Sequence, residues 1–269
     1  MENYLNDYKN HALKIQNQFC QLTNEILSKC DNVIFISLIG SQNYNLDSDE
    51  SDIDVQVYVT PTVEHLLLGK FVENKTIETT RGKAEIKDIR ELANLVAKGN
   101  PTYIETLYTE WYWCREDFKP YLLSIRKERN NFVYNNVIRV ANATKGLAYN
   151  FYKRLYSQAE GKRKYIDEFG YFPKSLSQIV RSYYIMESLK KRRGYHEAFT
   201  LKEYEHLSKC LNYRYKKIDN VDEVANEYMK KIDELSEEIK DAKLEDGYLV
   251  TKDLIMNEII LFLRKKFNL

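Results

Sequence analysis

Asp52 and Asp54 stand two residues apart in Ser51-Asp52-Ile53-Asp54-Val55. The run Ile53-Asp54-Val55-Gln56-Val57-Tyr58-Val59 alternates up to Pro61 and predicts a strand beginning near Asp52. On a strand, residues two apart share a face, with Cα atoms ~6.5 Å apart. Two neighbouring carboxylates repel, and each would cost several kcal/mol if buried without a partner. A divalent cation resolves both problems, and an oxygen-only ligand set favours Mg²⁺ or Mn²⁺. A calcium loop starting at Asp47 is excluded: Asp52 falls where its glycine belongs and Tyr58 where its bidentate glutamate belongs. Asp47, Asp49 and Glu50 are expected in solvent.

The element ahead of these acids supplies complementary groups. Val33-Ile34-Phe35-Ile36-Ser37-Leu38-Ile39 is short, apolar and β-branched, so it predicts a buried strand ending at Gly40. Gly40 lets the backbone approach a phosphate closely. If Ser41 opens a short helix, the amides after the glycine can donate to phosphate oxygens, and its hydroxyl adds a donor. Phosphate donors at one strand end beside metal-binding acids on the next describe phosphoryl transfer.

Gly40-Ser41-x-x-Tyr44-x-Leu46 followed by Ser51-Asp52-Ile53-Asp54 resembles the signature of the DNA polymerase β superfamily of nucleotidyltransferases. Within it, the chain is similar to the bacterial and phage nucleotidyltransferases found beside RNA ligases, the RlaP group. That pattern has glycine after the tyrosine. Asn45 stands there instead, a mild departure because asparagine tolerates positive φ. Lys98-Gly99-Asn100-Pro101 with Ile104-Glu105-Thr106-Leu107, and Pro173-Lys174 through Arg181 to Gly194, resemble two further landmarks of the group.

The resemblance implies an α/β (α+β) fold: a nucleotidyltransferase domain with a small mixed sheet over residues 1–115, then an α-helical domain over 116–269. A nucleoside triphosphate, ATP first, would occupy the cleft between them. Asp52 and Asp54 would bind the metals, and a third carboxylate would complete the set. Glu85 is preferred for that role. Asp88 is the alternative, although Asp88 followed by Glu91 already reads as a helix cap. Gly40 and Ser41 would hold the terminal phosphates. Lys174 and Arg181, seven apart and so on one helix face, would contact the triphosphate or the acceptor's phosphates. Glu105 either faces the site or caps and pairs locally. The implied reaction transfers a nucleoside monophosphate to an acceptor hydroxyl, with an RNA end, as in tRNA repair, the favoured acceptor. Two alternatives remain: a toxin-like transferase acting on tRNA or attaching AMP to a protein, and a binding module for nucleotide or RNA without activity.

Composition bounds these readings. Forty-one basic against forty acidic residues leave a formal charge of +1, so any hold on nucleic acid must come from a local patch. No stretch has the apolar length of a membrane span and the N-terminus lacks an apolar signal core, so a cytoplasmic protein without membrane contact is expected. Cys20, Cys30, Cys114 and Cys210 show no paired spacing and read as packing residues.

The supporting elements follow from periodicity. Residues 4–29 read as an amphipathic helix through Leu5, Tyr8, Ala12, Ile15, Phe19, Leu22 and Ile26. Residues 76–80 and 83–87 read as a hairpin about Arg81-Gly82, and a helix runs from Asp88 to Gly99. Trp111 and Trp113 read as junction core. Residues 121–156 read as helical, 157–172 as a polar loop, 173–194 and 221–245 as helices, and a last helix begins at Asp253 and packs on the helical domain. Lys190-Lys191-Arg192-Arg193 suits a helix C-terminus, with a nucleic-acid contact the weaker reading.

Overall fold

The structure is a computed structural model describing residues 2–48, 51–241 and 246–269, with side chains from residue 11 onward. Asp49 and Glu50, and the side chains of Leu5 and Tyr8, lie outside the described residues. Helix α1 (Glu2–Lys29) precedes strand β1 (Val33–Ile39), a 3₁₀ turn (Ser41–Tyr44) and β2 (Asp54–Val59). Short α2 (Val63–Leu67) leads to β3 (Lys75–Glu78), β4 (Lys83–Asp88), α3 (Ile89–Ala97), α4 (Pro101–Tyr108) and β5 (Tyr112–Cys114). The five strands form one mixed sheet in the order β3-β4-β2-β1-β5, in which only β2 and β4 run parallel.

The alternation of β2 assigns its two faces. Val55, Val57 and Val59, with Ile36, Leu38, Ala84 and Ile86, pack under Ile15, Phe19, Leu22 and Ile26 of α1. Phe35 and Tyr58 stack on the opposite face at 5.6 Å and join the core that includes α3 and α4. Asp54 and Gln56 share that second face, and the register that pairs Gln56 with Glu85 puts Glu85 there too. A one-residue slip of β2 would turn Asp54 into the apolar layer under α1, so burial of both faces fixes the face the acid occupies.

The second strand starts at Asp54 rather than Asp52. Asp52 and Ile53 form an extended lead-in, held because the Ile53 amide donates to Arg81 O at 2.8 Å. The β3–β4 connection spans Thr79–Gly82 rather than two residues, and the Thr79 hydroxyl closes it on Gly82 O at 2.8 Å.

The helical half is more broken than periodicity predicts. Residues 121–156 divide into α5 (Lys119–Lys127), α6 (Arg129–Asn135) and α7 (Val137–Lys153). The polar loop holds α8 (Arg163–Phe169), ended by Gly170 at φ 84°. Then come α9 (Pro173–Lys191), α10 (Tyr195–Phe199), α11 (Tyr204–Tyr215), α12 (Val221–Asp241) and α13 (Tyr248–Phe267). The last helix therefore begins ahead of Asp253. It packs on α3 of the sheet-bearing half as well as on α5, and Lys266 Nζ donates to Thr60 Oγ1 at 2.7 Å. A single apolar cluster runs from Phe35 and Tyr58 to Phe262. All four cysteines are free. Among the described residues, no helix is long and apolar enough to cross a membrane.

Candidate active site

Gly40 adopts φ 94°, ψ −160°, a conformation essentially reserved for glycine. A Cβ there would find open space, its nearest neighbour being Gln42 Oε1 at 3.9 Å, so the backbone and not crowding requires glycine. Asn45 closes the turn in the left-handed region at φ 55°, which the asparagine tolerates. Ser41 does open a short helix, although its side chain is nearly buried.

The turn rests on a buried carboxylate. Glu105 Oε1 accepts from the Gly40 amide at 2.8 Å and from Asn43 Nδ2 at 2.7 Å. Burial pushes the Glu105 carboxyl up to about 7, against the opposing pull of Arg181 and of those two donors. Of Gly40, Ser41 and Gln42, the glycine amide is thus already engaged. The Ser41 and Gln42 amides open the 3₁₀ turn, where amides lack partners within the helix. Gln42 extends the scaffold by donating from Nε2 to Asp52 O at 2.6 Å.

Arg181 lies behind this turn. It is 8% exposed, its guanidinium sits 3.6 Å from the Tyr44 ring centroid, and Nε donates to Phe199 O at 3.0 Å. Lys174, the second residue of α9 and solvent-accessible, feels the charges of Asp54 and Asp52 instead. The seven-residue spacing aligns the two cations along α9, but the helix enters the core between them. They cannot do the same work.

Asp54 opens the central strand β2, and Glu85 lies on the neighbouring strand β4. Asp54 Oδ1 accepts from the Lys83 amide at 3.2 Å, and Glu85 Oε2 accepts from Gln56 Nε2 at 2.8 Å. Lys87 Nζ lies 4.0 Å from the same Glu85 oxygen. Desolvation raises the Asp54 carboxyl, the Lys83 amide opposes it, and the negative charges of Asp52 and Glu85 add to the rise. Lys174 is lowered by desolvation and by Arg214, while Asp54 and Asp52 pull the other way. Asp54 therefore feels the charges of Asp52, Glu85 and Lys174, and Lys174 feels both aspartates. Asp88 is excluded from this group: fully buried, it caps α3 through the Arg90 amide and pairs with the Arg90 guanidinium.

The donor set suits a hard divalent cation. Among the described residues, no three histidine, cysteine, aspartate or glutamate side chains are gathered closely enough to hold an ion by themselves. Mg²⁺ commonly takes one or two carboxylates and completes its shell with water and substrate phosphates. Two aspartates at the start of the central strand fit that mode. A cavity of about 350 Å³ adjoins the turn on its other side, lined by Gln42, Asn43, Asn45, Trp111 and His196. The acids and Lys174 do not line it.

Residues 12–133 match the family model of RlaP, the RNA repair pathway DNA polymerase beta family. The resemblance read from residues 40–54 thus extends through the whole sheet and into α6. The RlaP-matched span carries Gly40, Ser41, Asp52, Asp54, Glu85 and Glu105 and stops short of Lys174 and Arg181. No curated protein matches the chain.

Four residues of the site escaped the sequence reading. Gln42, Asn43 and Arg214 gave no signal, being ordinary polar residues until the fold closes. Gln56 gave one: a glutamine between Val55 and Val57, fully buried on the acid-bearing face, needs a partner there.

Proposed function

We propose that the protein is a metal-dependent nucleotidyltransferase that moves a nucleoside monophosphate from a triphosphate, ATP first, to the hydroxyl of an RNA end. The observation that carries this is the placement of Asp54 and Glu85 on one face of two parallel strands, opposite Lys174 and beside the Gly40 turn.

In this reading Asp52 and Asp54 hold Mg²⁺ or Mn²⁺, and Glu85 joins them when the substrate is bound. The metal supplies charge neutralisation at the phosphates and a lowered pKa at the acceptor hydroxyl. The Ser41 and Gln42 amides receive terminal phosphate oxygens, and the open space over Gly40 admits them. Lys174 steadies the negative charge of the phosphates. Arg181 acts through Tyr44, keeping the turn in place. Glu105 fixes the same turn from below.

The deciding experiment incubates the purified protein with each labelled triphosphate, Mg²⁺ and total RNA, and repeats it with Asp54→Ala. Transfer of label to RNA by the wild type and none by the variant is the expected result. Label on RNA from both proteins alike overturns the assignment of the acids. Absence of transfer to any acceptor, with triphosphate still bound, would reduce the protein to a binding module.

A further inference from the structure

We infer that the cavity between α6 and the α9–α10 junction is a binding site for the phosphate backbone of a polynucleotide. If the proposed nucleotidyltransferase reading holds, that strand is its acceptor. The cavity measures about 450 Å³ and is lined by Arg129, Tyr134, Arg192, Arg193 and His196. Its charge is unbalanced. Among the described residues, none of the three arginines has a carboxylate within ion-pair distance, and Glu197 is the one acidic residue lining the cavity. The adjoining lysines differ: Lys190 pairs with Glu238, and Lys191 lies 3.9 Å from Glu187. In the run 190–193, two are neutralised and two are left over.

The backbone also presents the leftover pair. Arg192 sits in the left-handed region at φ 50° and Gly194 at φ 71°, so α9 breaks sharply there, and the Arg192 guanidinium reaches the cavity wall, donating to Tyr134 O at 3.3 Å. A left-handed arginine costs on the order of 1 kcal/mol, a cost that a helix end with glycine at that position would avoid. Arg129, opposite them, is steadied over the Tyr108 ring at 5.3 Å. Guanidinium groups match phosphate geometry with two parallel donors each. Three of them around an open cavity exceed what a single phosphate needs and suit successive phosphates of a strand.

The direction of that strand follows from His196. Its ring lines this cavity and also the 350 Å³ cavity that adjoins Gln42 and Asn43 of the catalytic turn. Nε2 of His196 is buried without a partner. The two cavities therefore adjoin at His196, and the inferred course of a strand anchored on the arginines is toward the Gly40 turn.

The test measures single-stranded RNA binding by fluorescence anisotropy over a salt series, using the full chain. Arg192→Glu/Arg193→Glu should weaken RNA at least tenfold and flatten the slope of log affinity against log salt by roughly 1.4, or ~0.7 per lost phosphate contact. The thermal shift by Mg²⁺–ATP should stay unchanged, which also reports that the variant is folded. Lys230→Glu/Lys231→Glu, with the same charge change on α12, should leave the affinity within a factor of two. Equal losses in both variants, or no loss in the first, overturn the site. Displacement of RNA by inorganic phosphate at constant ionic strength, with no dependence on RNA length, overturns the strand in favour of a small phosphate. If neither protein transfers nucleotide but RNA still depends on the arginines, the enzymatic reading fails and this site stands.

Discussion

Glu105 Oε1 receives the Gly40 amide at 2.8 Å across 65 residues of sequence. The proposed phosphate-binding turn is thus built on a carboxyl group that titrates near neutrality, and this gives the protein a pH dependence of known sign. Burial holds the folded Glu105 carboxyl at about 7, well above its ordinary 4.5. Between those values the folded state holds more protons than the unfolded state, so stability falls as pH rises from ~4.5 to ~7 and then levels. Glu105→Gln removes the titration and keeps an acceptor oxygen. The stability of wild type relative to this variant should drop by a few kcal/mol between pH 5 and pH 8, measured by urea unfolding at each pH. Parallel curves would mean that the carboxyl does not hold its proton in the fold.

Arg181→Ala should destabilise by roughly 1–3 kcal/mol, because its loss leaves Glu105 without an opposing charge and Tyr44 without its stacking partner. Triphosphate affinity should fall with it, through loss of the turn. A variant that melts like wild type yet binds triphosphate poorly would place Arg181 at the ligand instead.

Asp54→Asn should melt at or above wild type without metal. Its carboxyl is held above the usual range, chiefly by desolvation, so its ionised form weighs against the fold at neutral pH. The variant should gain little from Mg²⁺–ATP, whereas wild type should gain ~2.7 kcal/mol at a hundredfold excess over Kd. A lower metal-free melting temperature with an intact ligand shift is the opposite outcome, and it would mark Asp54 as structural.

Two glycines separate conformational from steric demands. Gly40→Ala should cost ~1–3 kcal/mol for backbone conformation alone, since its Cβ meets nothing closer than 3.9 Å. At Gly82 a Cβ would fall 2.4 Å from Ile53 O, inside the lead-in between the two aspartates. Gly82→Ala must therefore move that lead-in, and it should reduce the Mg²⁺–ATP thermal shift by more than its own change in stability accounts for. Equal loss of stability and ligand shift in both variants would refute the distinction.

Local signals carried the sheet and the acids. The apolar run of β1, the alternation of β2 and the left-handed tolerance of Asn45 are properties of residues close in sequence, and the family resemblance rested on the same stretch. What the sequence left open depends on contacts across the fold. Glu105 could be read as facing the site or pairing locally until α4 brought it under Gly40. Lys174 and Arg181 looked equivalent because helical spacing reports a shared face and not depth along it. The breaks at Glu128 and Asn136 carry no proline or glycine, so periodicity ran straight through them.

The core that joins Phe35 and Tyr58 to Phe262 has a consequence for synthesis. The turn at Gly40 leaves the ribosome long before Arg181 and Phe199, which brace it, and before Lys266, which bonds to the end of β2. At ~5–20 residues per second, the turn waits on the order of ten to a few tens of seconds for these late contacts. The matched segment 12–133 is consequently not a portable module. Expressed alone, it would display Tyr44, which packs on Phe199 and Arg181, and Phe118, which packs on Phe262, and exposed apolar side chains of this kind are what chaperones and proteases recognise.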